Sequence, residues 1–212
     1  QTVAEEFAKQ IDIDPWLVSP LSLQCGEVNF KERLGLECLS GNVSELLGMI
    51  QAKYDQYGID KEPFVVVKSD TGTYGMGIMM VKSAEEIENL NRKQRNKMSS
   101  SKEGLEVENV LIQEGVYTFE TIGEDNAVAE PVIYMIDHFV VGGFYRVHTG
   151  RDENENLNAP GMHFEPLAFA QPCNTPDKQG EPDAEPNRFY AYGVIARLAL
   201  LAAAREIADT KA

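Results

Sequence analysis

Apolar side chains along this chain follow two patterns, the helical spacing of an amphipathic helix and the short β-branched runs of strands. The helical spacing appears first. Residues 4–11 repeat apolar side chains at helical spacing and stop before Pro15, where proline breaks a helix. Asn42 and Glu45 form a capping-box pattern that predicts a helix from this point to Gly58. The face predicted to be buried carries Leu46, Ile50, Tyr54 and Tyr57.

Two further helices are predicted later in the chain. Ser83 and Glu86 form a second capping-box pattern, which predicts a helix to about Arg95. Asn187 is a favourable N-cap for a helix over residues 188–208. That last helix is apolar almost all round, which predicts burial, either inside a larger protein or between the subunits of a homo-oligomer.

Short β-branched runs predict the strands. Residues 64–68 and 77–81 flank a glycine-rich stretch, as the two strands of a hairpin would. Further strands are predicted at residues 109–114, 131–137 and 139–146. The order of these elements predicts an α+β fold, in which helices pack on one face of an antiparallel sheet.

Composition and charge narrow the classes of partner. The 212 residues include 19 basic and 34 acidic side chains, for a net charge of -15, which disfavours binding to nucleic acid or to an anionic membrane. Three cysteines without close spacing indicate a reducing, cytoplasmic location. The most apolar stretch, residues 189–204, is too short to span a membrane. The first residue is Gln1 and not Met, so a longer protein is expected.

The most informative stretch is VVVKSDTGTYGMGIMMV, residues 65–81, in which Lys68 precedes the glycines. A P-loop places its lysine after the glycines, and a dinucleotide fingerprint leads from a strand into a helix. This stretch instead lies between two strands, and predicts a flap whose backbone amides close over phosphates above Lys68. The loop residues of this site are Gly72, Thr73, Tyr74, Gly75, Met76 and Gly77. The alternative is an ordinary glycine-rich turn beside a surface lysine.

The segment PFVVVKSDTGTYGMGIMMV resembles the phosphate flap of the ATP-grasp ligases, in which a lysine at a strand end precedes a flexible glycine loop. The resemblance implies that the next strand ends in a hinge that holds adenine and ribose. NVLIQEGVYTFE is similar to that hinge, and the implied nucleotide contacts are Gln113, Glu114, Val116 and Tyr117. An ordinary solvated strand end is the alternative for Glu114.

A second group of implied site residues follows the hinge. YMIDHFVVGGFYRVHTG resembles the paired strands that carry a catalytic arginine in glutathione-synthetase-like members, which implies that role for Arg146. Arg151 would be the second family arginine. NLNAPG resembles a loop through which Asn156 would contact phosphate or metal. A solvated polar loop is the alternative.

A narrower resemblance covers nearly the whole chain. FAKQIDIDPWLVSP, KSDTGTYGMGI and FYAYGVIARLALLAA together are similar to the proteobacterial glutamate–cysteine ligase family, related to ATP-grasp enzymes. Members are about twice this length, so the chain would be the C-terminal half. The implied organisation is a helical and mixed lead-in over residues 1–60, a small lobe with the flap over 61–108, and an incomplete large lobe over 109–212.

The chain departs from the ATP-grasp pattern at the metal site. These enzymes place magnesium-binding acids on strands after the arginine segment, whereas here a helix follows and the sequence stops. Mg²⁺ prefers oxygen ligands, and the candidates here are Asp137, Glu153, Glu155, Asn156 and Asn158, of which Asp137, Glu155 and Asn158 are selected. The alternative is that the ligands lie outside this chain.

The resemblance implies ATP and Mg²⁺ as cofactors, with glutamate and cysteine as substrates. ATP would convert the γ-carboxylate of glutamate to an acyl phosphate, which the amine of cysteine then attacks. Two alternatives remain: another ATP-grasp amino-acid or peptide ligase, and a nucleotide-binding module without catalysis. A protein kinase is disfavoured because its lysine lies on the strand after the glycine loop.

Overall fold

Two antiparallel four-stranded sheets organise the part of the chain that the computed structural model describes, residues 1–69, 77–99, 107–166 and 187–210. The helices of these ranges are α1 Thr2–Ile11, α2 Leu36–Tyr57, α3 Ala84–Glu88, α4 Arg92–Met98 and α5 Arg188–Asp209, with a 3-10 turn at Pro15–Leu17. The strands are β1 Ser22–Cys25, β2 Val65–Ser69, β3 Ile78–Val81, β4 Val110–Glu114, β5 Thr121–Ile122, β6 Ala127–Ile136, β7 Phe139–His148 and β8 His163–Pro166. The predicted mixture of antiparallel sheet and helices is confirmed.

Backbone contacts divide the chain into two compact units. We call Pro20–Tyr117 with Asn154–Ala159 the Lys68 unit. We call Gln1–Ser19, Thr118–Glu153 and Pro160–Ala212 the Arg146 unit.

The Lys68 unit contains a sheet with the strand order β1-β4-β2-β3, all antiparallel. Helix α2 packs against this sheet with an apolar row of which Leu39, Val43, Leu46 and Ile50 are wholly buried. Burying a side chain of this size contributes about 1.5–3 kcal/mol, so this row stabilises the packing of α2 on the sheet.

Helix α2 starts earlier than the capping-box pattern at Asn42 predicted, and that prediction is wrong. The apolar row extends back to Leu36, and Gly35 precedes it with φ of 71°. A Cβ at position 35 would lie 2.7 Å from the carbonyl oxygen of Glu27, so the chain turn that starts the helix needs glycine. The predicted stop at Gly58 is confirmed.

The helix predicted from Ser83 to Arg95 is two helices, α3 and α4, because a new cap interrupts it. The Asn91 side chain accepts a hydrogen bond from Gln94 N at 3.0 Å. The Gln94 side chain accepts one from Asn91 N at 2.9 Å. This reciprocal capping box satisfies amides that a continuous helix would have bonded internally.

The Arg146 unit contains a sheet with the order β5-β6-β7-β8, dominated by the long β6–β7 hairpin that turns at Asp137 and His138. Both hairpin strands were predicted, whereas β8 was not. One face of the sheet packs against α5 through Ala127, Ala129, Tyr145, Val147 and Phe189.

A buried carboxylate supports the start of α5. Tyr145 Oη donates a hydrogen bond of 2.7 Å to Glu120, and Arg188 lies 3.6 Å from the same carboxylate. Burial, followed by this hydrogen bond, raises the pKa of Tyr145 to about 12. Tyr145 of β7 and Arg188 of α5 thus meet at one carboxylate, by a hydrogen bond and an ion pair.

The predicted N-cap of α5 is confirmed, because the Asn187 side chain accepts hydrogen bonds from Phe189 N and Tyr190 N. Within the described part of this chain, Phe189 and Gly193 are its buried residues. Four large apolar side chains are 40–54% exposed: Ile195, Leu200, Leu201 and Ile207. Burial against a second subunit or a longer chain stays a prediction. No helix in the described ranges combines the length and apolarity that crossing a bilayer requires.

We expect Gly115→Ala to lower the free energy of unfolding by about 1–3 kcal/mol, the usual cost of overpacking. A Cβ at this position would lie 2.0 Å from the Phe64 ring. Gly48→Ala is the matched control, because its Cβ in α2 would meet nothing within 4 Å. The control should raise the free energy of unfolding by about 0.5–1 kcal/mol. Urea unfolding measures both, and equal shifts would contradict this packing argument.

Candidate functional site

Alternation along β2 determines where Lys68 points. Val65, Val67 and Ser69 are buried, whereas Val66 and Lys68 face the other side of the sheet and are half-buried. The buried face is the one that packs on α2. Lys68 therefore projects from the face that α2 does not cover.

Two predicted site residues meet on this face. Lys68 pairs across the sheet with Leu111 of β4, and Gln113 lies two residues further along that strand. Lys68 Nζ donates a hydrogen bond of 2.7 Å to Gln113 Oε1. Burial lowers the pKa of Lys68. The ammonium is thus partly removed from water and held by a neutral amide, an arrangement that an anionic ligand would stabilise.

Strands β2 and β3, which border the predicted flap in the sequence, pair with each other beside Lys68. Ser69 N donates a hydrogen bond of 2.9 Å to Gly77 O, so β2 and β3 close as an antiparallel pair at this point. Gly77 has φ of 63°, and a Cβ there would lie 2.8 Å from Ser69 Cβ, so glycine suits this position. Five predicted phosphate contacts lie outside the described residues: Gly72, Thr73, Tyr74, Gly75 and Met76.

Glu114 points to the opposite face from Lys68 and Gln113. Its side chain is buried, and Oε2 accepts a hydrogen bond of 2.9 Å from Leu21 N, while Glu114 N donates one of 2.8 Å to Leu21 O. Burial, with a smaller contribution from the charge of Glu114, raises the pKa of Tyr54 in α2 to about 12. The carboxylate thus ties the start of β1 to β4. Its predicted contact with ribose stays a prediction.

The residues after β4 differ in how they are held. Tyr117 packs edge-on against Phe64, with ring centres 5.1 Å apart, and its hydroxyl donates a hydrogen bond of 2.6 Å to Glu62 O. Val116 is 66% exposed. The pair therefore offers one fixed aromatic side chain and one accessible apolar side chain, and their contact with adenine stays a prediction.

The polar segment Asn154–Ala159 belongs to the Lys68 unit, although the chain on both sides of it belongs to the Arg146 unit. Leu157 anchors it and is 1% exposed. Asn156 Oδ1 accepts a hydrogen bond of 2.9 Å from Asn158 N, forming an Asx turn. Glu155, Asn156 and Asn158 are half-buried around this anchor. Sequence reasoning did not predict that this segment joins the unit of Lys68.

Arg146 lies on β7 directly opposite Glu130 of β6, and its Nη1 donates to a carboxylate oxygen of Glu130. Arg146 Nε is buried and has no hydrogen-bond partner within the described ranges. A buried donor without a partner is costly, and a ligand oxygen would satisfy it. Sequence reasoning missed Glu130, because the register of the hairpin shifts between Tyr134 and Met135 and this shift cannot be read from the alternation of the strands.

Aromatic side chains share the Arg146 face of this sheet. Phe164 of β8 pairs with Arg146 of β7. The ring centre of Phe164 lies 4.9 Å from that of Phe144. Phe144 in turn lies 5.6 Å from Tyr134. These rings were not predicted as site residues, and they form an aromatic cluster on the same sheet as Arg146.

The remaining predicted residues belong to both units. Arg151 is half-buried in the segment after β7. Asp137 has φ of 53° in the β6–β7 turn, and its carboxylate lies 3.0 Å from His138 Nδ1. Asp137 belongs to the Arg146 unit, whereas Glu155 and Asn158 belong to the Lys68 unit. Within the described ranges, no three His, Cys, Asp or Glu side chains are grouped so that they could hold a metal ion.

A family model described as glutamate-cysteine ligase (GshA) matches residues 1–207. The chain is also similar to the crystal structure of a candidate gamma-glutamylcysteine synthetase from Methylobacillus flagellatus KT. The two share 65% sequence identity over 99% of this chain, with a TM-score of 0.85. The chain spans 49% of that protein, about half its length. A search of curated proteins found no match.

We expect Lys68→Met to weaken Mg-ATP binding by the full-length protein by about tenfold or more, because one charge-assisted hydrogen bond contributes about 1.5–3 kcal/mol. Lys82→Met is the control, since Lys82 is exposed and paired with Glu62 at 3.1 Å. Because burial lowers the pKa of Lys68, wild-type affinity should fall with rising pH before ordinary lysines lose their charge. Isothermal titration measures both effects. Equal losses in the two variants would contradict a phosphate role for Lys68.

Proposed function

Because the chain belongs to the glutamate–cysteine ligase family, we propose that the whole protein is an ATP-dependent ligase that joins the γ-carboxylate of glutamate to the amine of cysteine. This reaction makes a C–N bond and is the first step of glutathione synthesis. The observation in the structure that supports it best is the half-buried Lys68 ammonium, held by the neutral Gln113 amide.

The proposed reaction has two steps. An oxygen of the glutamate γ-carboxylate attacks the γ-phosphorus of ATP, the bond to ADP breaks, and an acyl phosphate forms. The amine nitrogen of cysteine then attacks the acyl carbon, inorganic phosphate leaves, and the amine loses a proton. Negative charge on the transferred phosphoryl group makes positioned cations the main contribution of the protein.

Lys68 is suited to the first step. Burial lowers the pKa of Lys68. Because the ordinary pKa of lysine lies well above neutral pH, we expect Lys68 to carry a positive charge next to a phosphate. Gln113 positions the ammonium without neutralising it, because an amide carries no charge. We propose that Lys68 contacts phosphate oxygens and that Gln113 is its positioning residue.

Arg146 is the second proposed cation. Its Nη1 donates a hydrogen bond to Glu130, and its Nε has no hydrogen-bond partner in the described part of the chain. A phosphoryl or carboxylate oxygen fits that donor, and the planar fork can offer two parallel hydrogen bonds. Arg151 is proposed as a further anion contact on the resemblance alone.

Mg²⁺ would supply additional charge to the phosphates when bound. Asp137, Glu155 and Asn158 stay its proposed oxygen ligands. Since the structure does not gather them in one unit, we derive no step through the ion.

We also propose the relationship to ATP-grasp enzymes, with residues 72–77 as a flap that excludes water from the acyl phosphate. The antiparallel β2–β3 pair, which closes at Ser69 and Gly77 next to Lys68, supports it. We propose on the resemblance that the chain is the C-terminal half of the protein. The proposed cytoplasmic location is supported by the free cysteines Cys25 and Cys38.

ADP release by the full-length protein tests the function, with Mg-ATP, glutamate and each of several amines including cysteine. We expect release to require both glutamate and cysteine, mass spectrometry to identify γ-glutamylcysteine, and the rate to fall at least about a hundredfold in Lys68→Met. Lys82→Met should match wild type. If another amine works better, the substrate assignment is wrong. If ATP binds but no amine stimulates release, the protein is a nucleotide-binding module.

A further inference from the structure

The Lys68 unit contains a pair of thiols that the proposed ligase reaction does not use. Cys25 ends β1 and is 4% exposed, whereas Cys38 lies in the first turns of α2 and is exposed. Cys25 Sγ donates a hydrogen bond to Cys38 Sγ across 3.4 Å. The two residues are 13 positions apart in the chain, and separate elements bring them together.

We propose that Cys25 and Cys38 form a reversible disulfide with small-molecule disulfides, and that this pair is a redox modification site of the protein. A disulfide bond requires the sulfurs to approach to about 2.05 Å, so they must close by about 1.4 Å from their present separation. Rotation of an exposed side chain at the start of a helix can supply such a movement. This proposal is independent of the ligase assignment.

The two thiols differ in exposure and in pKa, and these differences decide which thiol attacks first. Cys38 is exposed and therefore accessible to an oxidant, whereas Cys25 is buried. Burial, with the hydrogen bond to Cys38, raises the pKa of Cys25 to about 11. Cys25 therefore stays protonated near neutral pH and is a poor first nucleophile. Cys38 is the attacking thiol and Cys25 the resolving one.

The chemical balance is that of thiol–disulfide exchange. The Cys38 thiolate attacks one sulfur of the small disulfide, whose S–S bond breaks and releases one small thiol. Cys25 then loses its proton to solvent, attacks Cys38 Sγ, and displaces the second small thiol. Two protein thiols are oxidised while one small disulfide is reduced to two thiols.

The bond would fasten an edge strand to the helix that supports the sheet. Cys25 pairs with Val110 of β4, and the other end of β1 is held by Glu114 through Leu21. A Cys25–Cys38 bond would thus fix both ends of β1 within the Lys68 unit. Loop closure of this length usually stabilises a fold.

The experiment uses full-length Cys173→Ser protein, which removes the third thiol of the chain from the reaction. The protein is incubated with cystine over a range of cystine-to-cysteine ratios, quenched in acid and digested with trypsin without reduction. Trypsin cuts at Lys31 and Arg33, between the two cysteines, so a Cys25–Cys38 bond joins two otherwise separate peptides.

We expect the joined peptides to appear as the ratio rises and to disappear with dithiothreitol. In Cys25→Ala, the cysteine adduct should accumulate on Cys38, because the resolving thiol is gone. In Cys38→Ser, Cys25 should stay unmodified because it is buried. In the parent protein, the rate of the resolving step should rise with pH above neutrality, because burial raises the pKa of the Cys25 thiol.

The proposal is overturned if the parent protein stops at the Cys38 adduct, since the sulfurs then cannot close the gap. It is also overturned if neither cysteine reacts under native conditions although both react in urea. Near-ultraviolet circular dichroism of the reduced variants checks that each substitution preserves the fold.

Discussion

The burial of one sheet face under α2 is the constraint on which the Lys68 unit depends. Leu39, Val43, Leu46 and Ile50 of α2 are wholly hidden, and the sheet must present its own apolar side chains to them. Because successive residues of a strand face opposite sides, this choice also decides what the other face carries. Lys68 and Gln113 project there as a consequence of the burial of Val67 and Ile112.

Both units use carboxylates to hold their frameworks, in a chain with a net charge of -15. Glu114 binds the backbone of Leu21, and Glu120 accepts a hydrogen bond from Tyr145. Glu130 pairs with Arg146. By contrast, the hydrogen bond from Lys68 goes to a neutral amide. Lys68 therefore keeps its positive charge without a carboxylate as its hydrogen-bond partner, whereas Arg146 is paired with one, and this favours binding of an anion at Lys68.

Much of the fold could be predicted from local patterns. The apolar runs located β2, β3, β4, β6 and β7, and Asn187 was recognised as the cap of α5. The start of α2 was missed because Asn42 offered a plausible cap, whereas the apolar row continued to Leu36 and a tertiary contact at Gly35 set the start. The break between α3 and α4 was missed because the capping-box pattern at Ser83 was extended through Asn91, which forms a capping box of its own and starts α4.

The site was harder to predict because its contacts depend on strand register. Lys68 and Gln113 were both named from the sequence, but their hydrogen bond requires the pairing of Lys68 with Leu111. Glu114 follows Gln113 directly and therefore faces α2, which a linear motif does not reveal. Likewise, nothing in the local sequence around Leu157 indicates that its segment joins the unit of Lys68.

That segment has a consequence for the order in which the protein can be made. The Lys68 unit receives its last piece, Asn154–Ala159, only after Thr118–Glu153 of the other unit has been synthesised. On the ribosome, a chain that ends at Tyr117 would still lack Leu157, one of the most deeply buried side chains of the protein. The nascent Lys68 unit therefore stays incomplete until β5, β6 and β7 of its neighbour have been synthesised.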